Sequence, residues 1–143
     1  MKKRDIAIDV AKTHLGLPYK WGGDDTIGGF DCSGLVVEIL QSAGIIKTGL
    51  DYTAQGLSNL YPETDIVQAG DLVFWDWNKD GVIEHVEMVA FVDESGEAFT
   101  IGASGGGSAT TSPARAMEQN AYVKVRPLRS GYTFISDPFY AEL

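Results

Sequence analysis

"GGFDCSGLVVEIL", residues 28–40, contains the one cysteine of the 143-residue chain and decides how the rest is read. Leu35, Val36, Ile39, Leu40 and Ala43 recur at helical spacing, and Gly44 follows at a C-cap position, so a helix is expected from about Cys32 to Ala43. Asp31 then falls at the N-cap, where its carboxylate can accept the amides of residues 33 and 34. Cys32 becomes the first helical residue, at the positive end of the helix dipole, which favours a thiolate. The charge of Asp31 opposes that effect, so its part is capping and orientation. Gly34 removes a side chain from the same turn and lets something approach closely. Packing is the competing explanation, because free cysteine is often buried. A single cysteine cannot form a disulfide within the chain.

N-terminal to this stretch, Ile6, Ala7, Val10, Ala11 and His14 share a helical face that ends at Gly16 and Pro18. A Gly-rich aromatic loop, "LPYKWGGDDTIGGF" (17–30), joins the two helices. "DYTAQGLSNLYP" (51–62) reads as a short helix capped by Thr53, although Gly56 weakens it. After Gly70 the character changes. "DLVFWDW", "HVEMVAFVD", "EAFTIGAS" and "AYVKVRPL" are rich in β-branched and aromatic residues, and "DESGE" is a tight turn between the second and third. "GASGGGSATTSPARA" (102–116) reads as a flexible loop, and "DPFYAEL" (137–143) as a last edge strand. Helices followed by antiparallel strands predict one α+β domain over residues 1–143, without repeats or an interdomain linker.

The composition excludes some classes. A formal net charge of −9 argues against a general nucleic-acid or anionic-membrane binder. The basic start "MKKRDIAIDVAKTH" has no apolar run behind it, so synthesis in the cytoplasm without a secretory signal is expected. No stretch approaches the roughly 18 apolar residues of a membrane span. A monomer is expected.

A thiolate nucleophile needs a base, and the chain has two histidines. His14 lies on a helix face. His85 opens a strand and is the better candidate, though taken alone a histidine at a strand edge is more often an inert, exposed one. "LGLPYKWGG", "FDCSGLV", "TAQ", "AGDLVFW" and "HVEMV" occur in that order. Together they resemble the motifs of the NlpC-type cysteine peptidases, a papain-like group that cuts bacterial cell-wall peptides. The resemblance runs from about residue 5 to 104, and more weakly to Leu128. It implies a papain-like fold with N-terminal helices packed on an antiparallel sheet and the nucleophile at a helix N-terminus. It also implies that Cys32 is the nucleophile and His85 the base and later the acid. By the same resemblance, Tyr19 lies beside the nucleophile, where it can assist the oxyanion or substrate. Asp31 and Ser33 shape the substrate site, and Trp21 contributes a loop aromatic whose role is either substrate contact or packing. Trp75 reads as core or groove wall.

The chain departs from the family in two places. The residue that usually orients the histidine sits on the next strand, in a motif like "VHAS". Here that stretch is "IGAS", and Gly102 has no side chain to hold an imidazole. A backbone carbonyl, a water, Ser104 or Glu87 could substitute. The family usually has glycine two residues after the histidine; here that residue is Glu87, on His85's face of the strand. Glu87 also completes a second pattern. In "DWNKDGVIEHVE" (76–87), Asp76, Asn78, Asp80, Gly81 and Glu87 have the spacing of an EF-hand calcium loop, although strands rather than helices flank it. A structural Ca²⁺ on Asp76, Asn78, Asp80 and Glu87 is one expectation; a polar hairpin turn is the other. No organic cofactor is expected.

The resemblance implies hydrolysis of an amide in the peptidoglycan stem peptide, first the γ-D-glutamyl bond to the diamino acid and second the muramoyl–L-alanine amide. Delivery as a phage-type lysin or virion-borne enzyme fits the lack of a signal. Two other classes remain: a non-catalytic, calcium-stabilised wall-binding domain, favoured by Gly102, and a thiol acyltransferase or deamidase.

Overall fold

The computed structural model describes residues 2–25, 29–104 and 109–141, with the backbone alone for residues 24, 25, 29, 30 and 104. Helix α1 (Lys3–Thr13) precedes a small ribbon of β1 (Asp24–Asp25) and β2 (Gly29–Phe30). Helix α2 (Cys32–Ser42) and the short α3 (Ala54–Ser58) follow, and then β3 (Leu72–Trp75), β4 (His85–Val92) and β5 (Ala98–Ser104). Helix α4 (Pro113–Glu118), β6 (Tyr122–Pro127) and β7 (Phe134–Ser136) complete the chain. The main sheet has the order β6-β5-β4-β3-β7, with every pair antiparallel.

The pleat of β4 organises the molecule. Val86, Met88 and Ala90 face α1 and α2, where they join Ala7, Ala11, Leu35, Val36, Ile39 and Leu40 in the main core. The alternate residues face the other way. There Val89 meets Val73, Trp75, Ala98 and Ile135 in a second, smaller cluster. Glu87 therefore lies on the sheet face remote from α2. The stretch after α1 runs beside β6: Gly16 and Tyr19 donate their amides to Val123 and Ala121, and Pro18 bridges Tyr122. That pairing carries the loop past the start of α2 and buries Tyr19.

Two expectations fail. The stretch 102–116 is not wholly loop, because Ser112 caps α4 by accepting the Arg115 amide, Pro113 starts the helix, and Ala116 is buried. The last strand is not 137–143 but Phe134–Ser136, which pairs with β3; Asp137 accepts the Phe139 amide and turns the chain out of the sheet. No helix among the described residues is long and apolar enough to cross a membrane.

Candidate active site

Asp31 caps α2 as its sequence position suggests: Oδ1 accepts the Gly34 amide at 2.7 Å and the Ser33 hydroxyl at 3.4 Å. The close neighbour that Gly34 admits is the chain's own loop. The Gly23 carbonyl accepts the Asp31 amide and occupies the space where a Cβ on Gly34 would stand. Loop and helix tip are thus locked together, with Cys32 at the tip, 9% exposed and 3.9 Å from the Glu84 carbonyl. Tyr19 packs beside it. Burial, the nearby Cys32 sulfur and Asp31 raise the Tyr19 pKa well above the usual phenol value, so its hydroxyl remains a neutral donor.

His85 is the first residue of β4, where the sheet ends, and it is 5% exposed. Gln55 of the "TAQ" motif steadies the approach to it by accepting the Ile83 amide at 2.6 Å. The imidazole stacks on Trp77 at 4.9 Å between ring centroids and is tilted against Trp75 at 5.4 Å. Its Nε2 lies 2.6 Å from Oε2 of Glu87, which leaves Nδ1 for the Cys32 side. Burial disfavours the imidazolium, but Cys32 and Glu87 outweigh it through hydrogen bonding and charge, so the His85 pKa rises from 6.5 to about 9.

Glu87 is 1% exposed and fully partnered. Oε1 accepts the Thr100 hydroxyl at 2.6 Å, and Oε2 accepts Arg129 at 2.7 Å and Arg126 at 3.4 Å. Burial works to raise its pKa; His85, Thr100 and Arg129 reverse that and bring it from 4.5 to about 2.

The expectation that Glu87 closes a calcium loop is therefore wrong. The strand's alternation turns Glu87 onto the sheet beside His85, and Glu84 is the glutamate that returns to the loop. Among the described residues, carboxylate oxygens of Asp76, Asp80 and Glu84 lie within 4.8 Å of one another and could hold a cation. They already close the loop internally. Asp76 accepts the Asp80 and Gly81 amides, and Glu84 accepts those of Trp77 and Asn78.

Trp21 is 56% exposed. Trp75 is core, lying under Arg129 at 5.1 Å. Ser104 ends β5 opposite Tyr122, and its side chain lies outside the described residues. Sequence reasoning missed Trp77, Thr100, Arg126 and Arg129. Only the spacing of Thr100, two residues before Gly102, placed it on the relevant face.

The family model described as "NlpC/P60 family" matches residues 16–127. The chain belongs to the NlpC/P60 family. It is 36% identical over 85 residues to a γ-D-glutamyl-L-lysine dipeptidyl-peptidase of Bacillus cereus, and 33% identical over 89 residues to the murein DD-endopeptidase MepH of Escherichia coli. Each alignment takes in 59% of this chain but only 25% and 32% of those relatives. An NlpC/P60 family protein of B. cereus has a similar solved structure, with a TM-score of 0.69 and 25% identity, over 94% of this chain and 39% of that one. The fold is accordingly the α+β, papain-like one expected.

Proposed function

We propose that this domain hydrolyses an amide bond in the peptidoglycan stem peptide, with Cys32 as nucleophile. The observation that carries the reading is a buried imidazole, held by Glu87 at Nε2, that shares a side-chain hydrogen bond with Cys32 at the capped tip of α2. The Cys32 sulfur attacks the amide carbonyl carbon, and the neutral Tyr19 hydroxyl donates to the developing oxyanion. The C–N bond breaks as His85 delivers its proton to the departing amine, leaving a thioester. Water then attacks the thioester as His85 takes its proton, the C–S bond breaks to restore the thiolate and imidazolium, and the acid product leaves and loses its proton to solvent. Asp31 and Ser33 flank the nucleophile, and the exposed Trp21 offers an aromatic surface to substrate.

The γ-D-glutamyl bond to the diamino acid is the first choice, supported by the B. cereus relative; the muramoyl–L-alanine amide is the second. A monomer released onto the wall, as from a phage-type lysin, fits this chemistry. Calcium enters as a structural proposal only, held by Asp76, Asp80 and Glu84 and taking no part in the reaction.

Mass spectrometry of purified peptidoglycan after incubation tests the reading. New stem-peptide fragments should appear with the native protein and be absent with Cys32→Ala of unchanged melting temperature. Equal fragmentation by the folded Cys32→Ala protein would overturn the assignment.

A further inference from the structure

Two oddities of the sequence occupy one place in the fold. Gly102 stands on β5 where a residue orienting the histidine was expected, and Glu87 stands on β4 where no side chain was expected. A Cβ built on Gly102 would lie 2.5 Å from Cγ, 3.0 Å from Cδ and 3.2 Å from Cβ of Glu87. A side chain at 102 and the present Glu87 cannot coexist. The volume vacated by one strand is filled from the other.

We propose that Glu87 is the positioning residue for His85, seated in the space Gly102 leaves and neutralised by Arg129. The inference rests on the reading of His85 as the acid and base of the reaction. Its geometry is specific. The 2.6 Å contact occupies Nε2, so the hydrogen bond that His85 shares with Cys32 falls to Nδ1. Thr100 holds the other carboxylate oxygen, so the group cannot swing away. Arg129 reaches Oε2 from beyond β6 while lying over the Trp75 ring, which makes a buried anion tolerable.

A carboxylate differs from a neutral orienting group in one measurable way: it favours the imidazolium and so sustains the thiolate–imidazolium pair to higher pH. The groups facing His85 and Glu87 are Cys32 from α2, Trp75 from β3, Trp77 from the loop before β4, Thr100 from β5, and Arg126 and Arg129 from β6 and beyond. Lys124 is a more distant positive charge. The arginines and Lys124 oppose the imidazolium, so Glu87 and Cys32 together supply what sustains it.

The test is Glu87→Gln, which keeps shape and removes charge. Its kcat should fall by about 10- to 100-fold while KM stays within about twofold, as for loss of a group that acts through another. The upper limb of its pH–rate profile should move down by about one unit or more. The upper inflection in the pH profile of Cys32 alkylation by iodoacetamide should move down in the same way. That second measurement needs no substrate, so it judges Glu87 even if the peptidoglycan reading fails. A folded Glu87→Gln protein with native kcat and both profiles unmoved overturns the proposal. Should Glu87→Gln not fold, Gly102→Ala takes its place: it displaces the carboxylate without removing a charge, and native kcat and alkylation in it overturn the proposal equally.

Discussion

Gly102→Ala is the sharpest perturbation the geometry offers, because it adds one methyl group and changes no charge. The new Cβ would stand 2.5 Å from Cγ of Glu87, against roughly 3.5–4.0 Å for relaxed carbon contacts, so something must move by about 1 Å. Gly102 lies inside a strand with no left-handed backbone angle, and alanine meets no strain of its own there. Glu87 cannot retreat freely. Its carboxylate is tied at 2.6 Å to His85, at 2.6 Å to Thr100 and at 2.7 Å to Arg129. Overpacking of this kind costs about 1–3 kcal/mol, and removing a glycine from a strand returns roughly 0.5–1 kcal/mol. The net loss is on the order of 1–2 kcal/mol, or about 3–8 °C in melting temperature for a domain of this size. Scanning fluorimetry measures that, and cleavage of a stem-peptide substrate measures the rate, which should fall about tenfold or more. The swap also makes a double variant informative. Gly102→His alone should be worse than Gly102→Ala. Gly102→His combined with Glu87→Gly removes the clash and should melt higher than either change predicts by addition. A Gly102→Ala protein with native melting temperature and native rate would refute the reasoning, since Glu87 would then have room that the geometry denies it.

Two further outcomes follow from the same contacts. The Glu87 pKa is depressed from 4.5 to about 2, so its contribution to stability is present above 4.5 and lost toward 2; the His85 pKa is raised from 6.5 to about 9, so its contribution is present below 6.5 and lost as pH rises through 9. The pair should give maximum stability between pH 4.5 and 6.5, with stability falling on either side, and Glu87→Gln should flatten both limbs; identical pH–melting curves for the two proteins would contradict this. EGTA should leave the rate within about twofold, because backbone amides already satisfy Asp76 and Glu84, while excess calcium should raise the melting temperature by mass action if the loop binds it. Loss of activity in EGTA, restored by calcium, would show that the loop needs the ion to close.

The helices were legible because periodicity and caps speak locally. The stripe Leu35, Val36, Ile39, Leu40 and the caps Asp31 and Thr53 match the observed α2 and α3. Strands β3, β4, β5 and β6 were legible from β-branched runs. What failed was less local. Helix α4 hides in a stretch poor in apolar residues, and its one buried anchor is Ala116. Strand β7 is three residues long and is made a strand by pairing with β3, which no window of sequence contains. The calcium pattern misled because spacing counts residues and not faces. Positions 76–84 form the loop, but by Glu87 the chain has entered a strand whose pleat points it to the sheet.

The orienting group shows the same limit in its most useful form. Read along the chain, Gly102 is a missing side chain and Glu87 a surplus one, and the first of these suggested a domain without catalysis. Across the β4–β5 pair the two positions are neighbours, and the loss and the gain cancel. Either substitution alone would be damaging: a side chain at 102 would strike Glu87, and a small residue at 87 would leave Nε2 of His85 unheld in a buried site. The arginines extend the argument one strand further. A carboxylate buried to this depth is unfavourable without a counter-charge, and Arg126 and Arg129 come from β6 and the segment after it, about 40 residues on in the sequence, to supply one. Glu87, Gly102 and Arg129 therefore stand or fall as a set. A relative that keeps glycine two residues after its histidine has no carboxylate for an arginine at this place to neutralise.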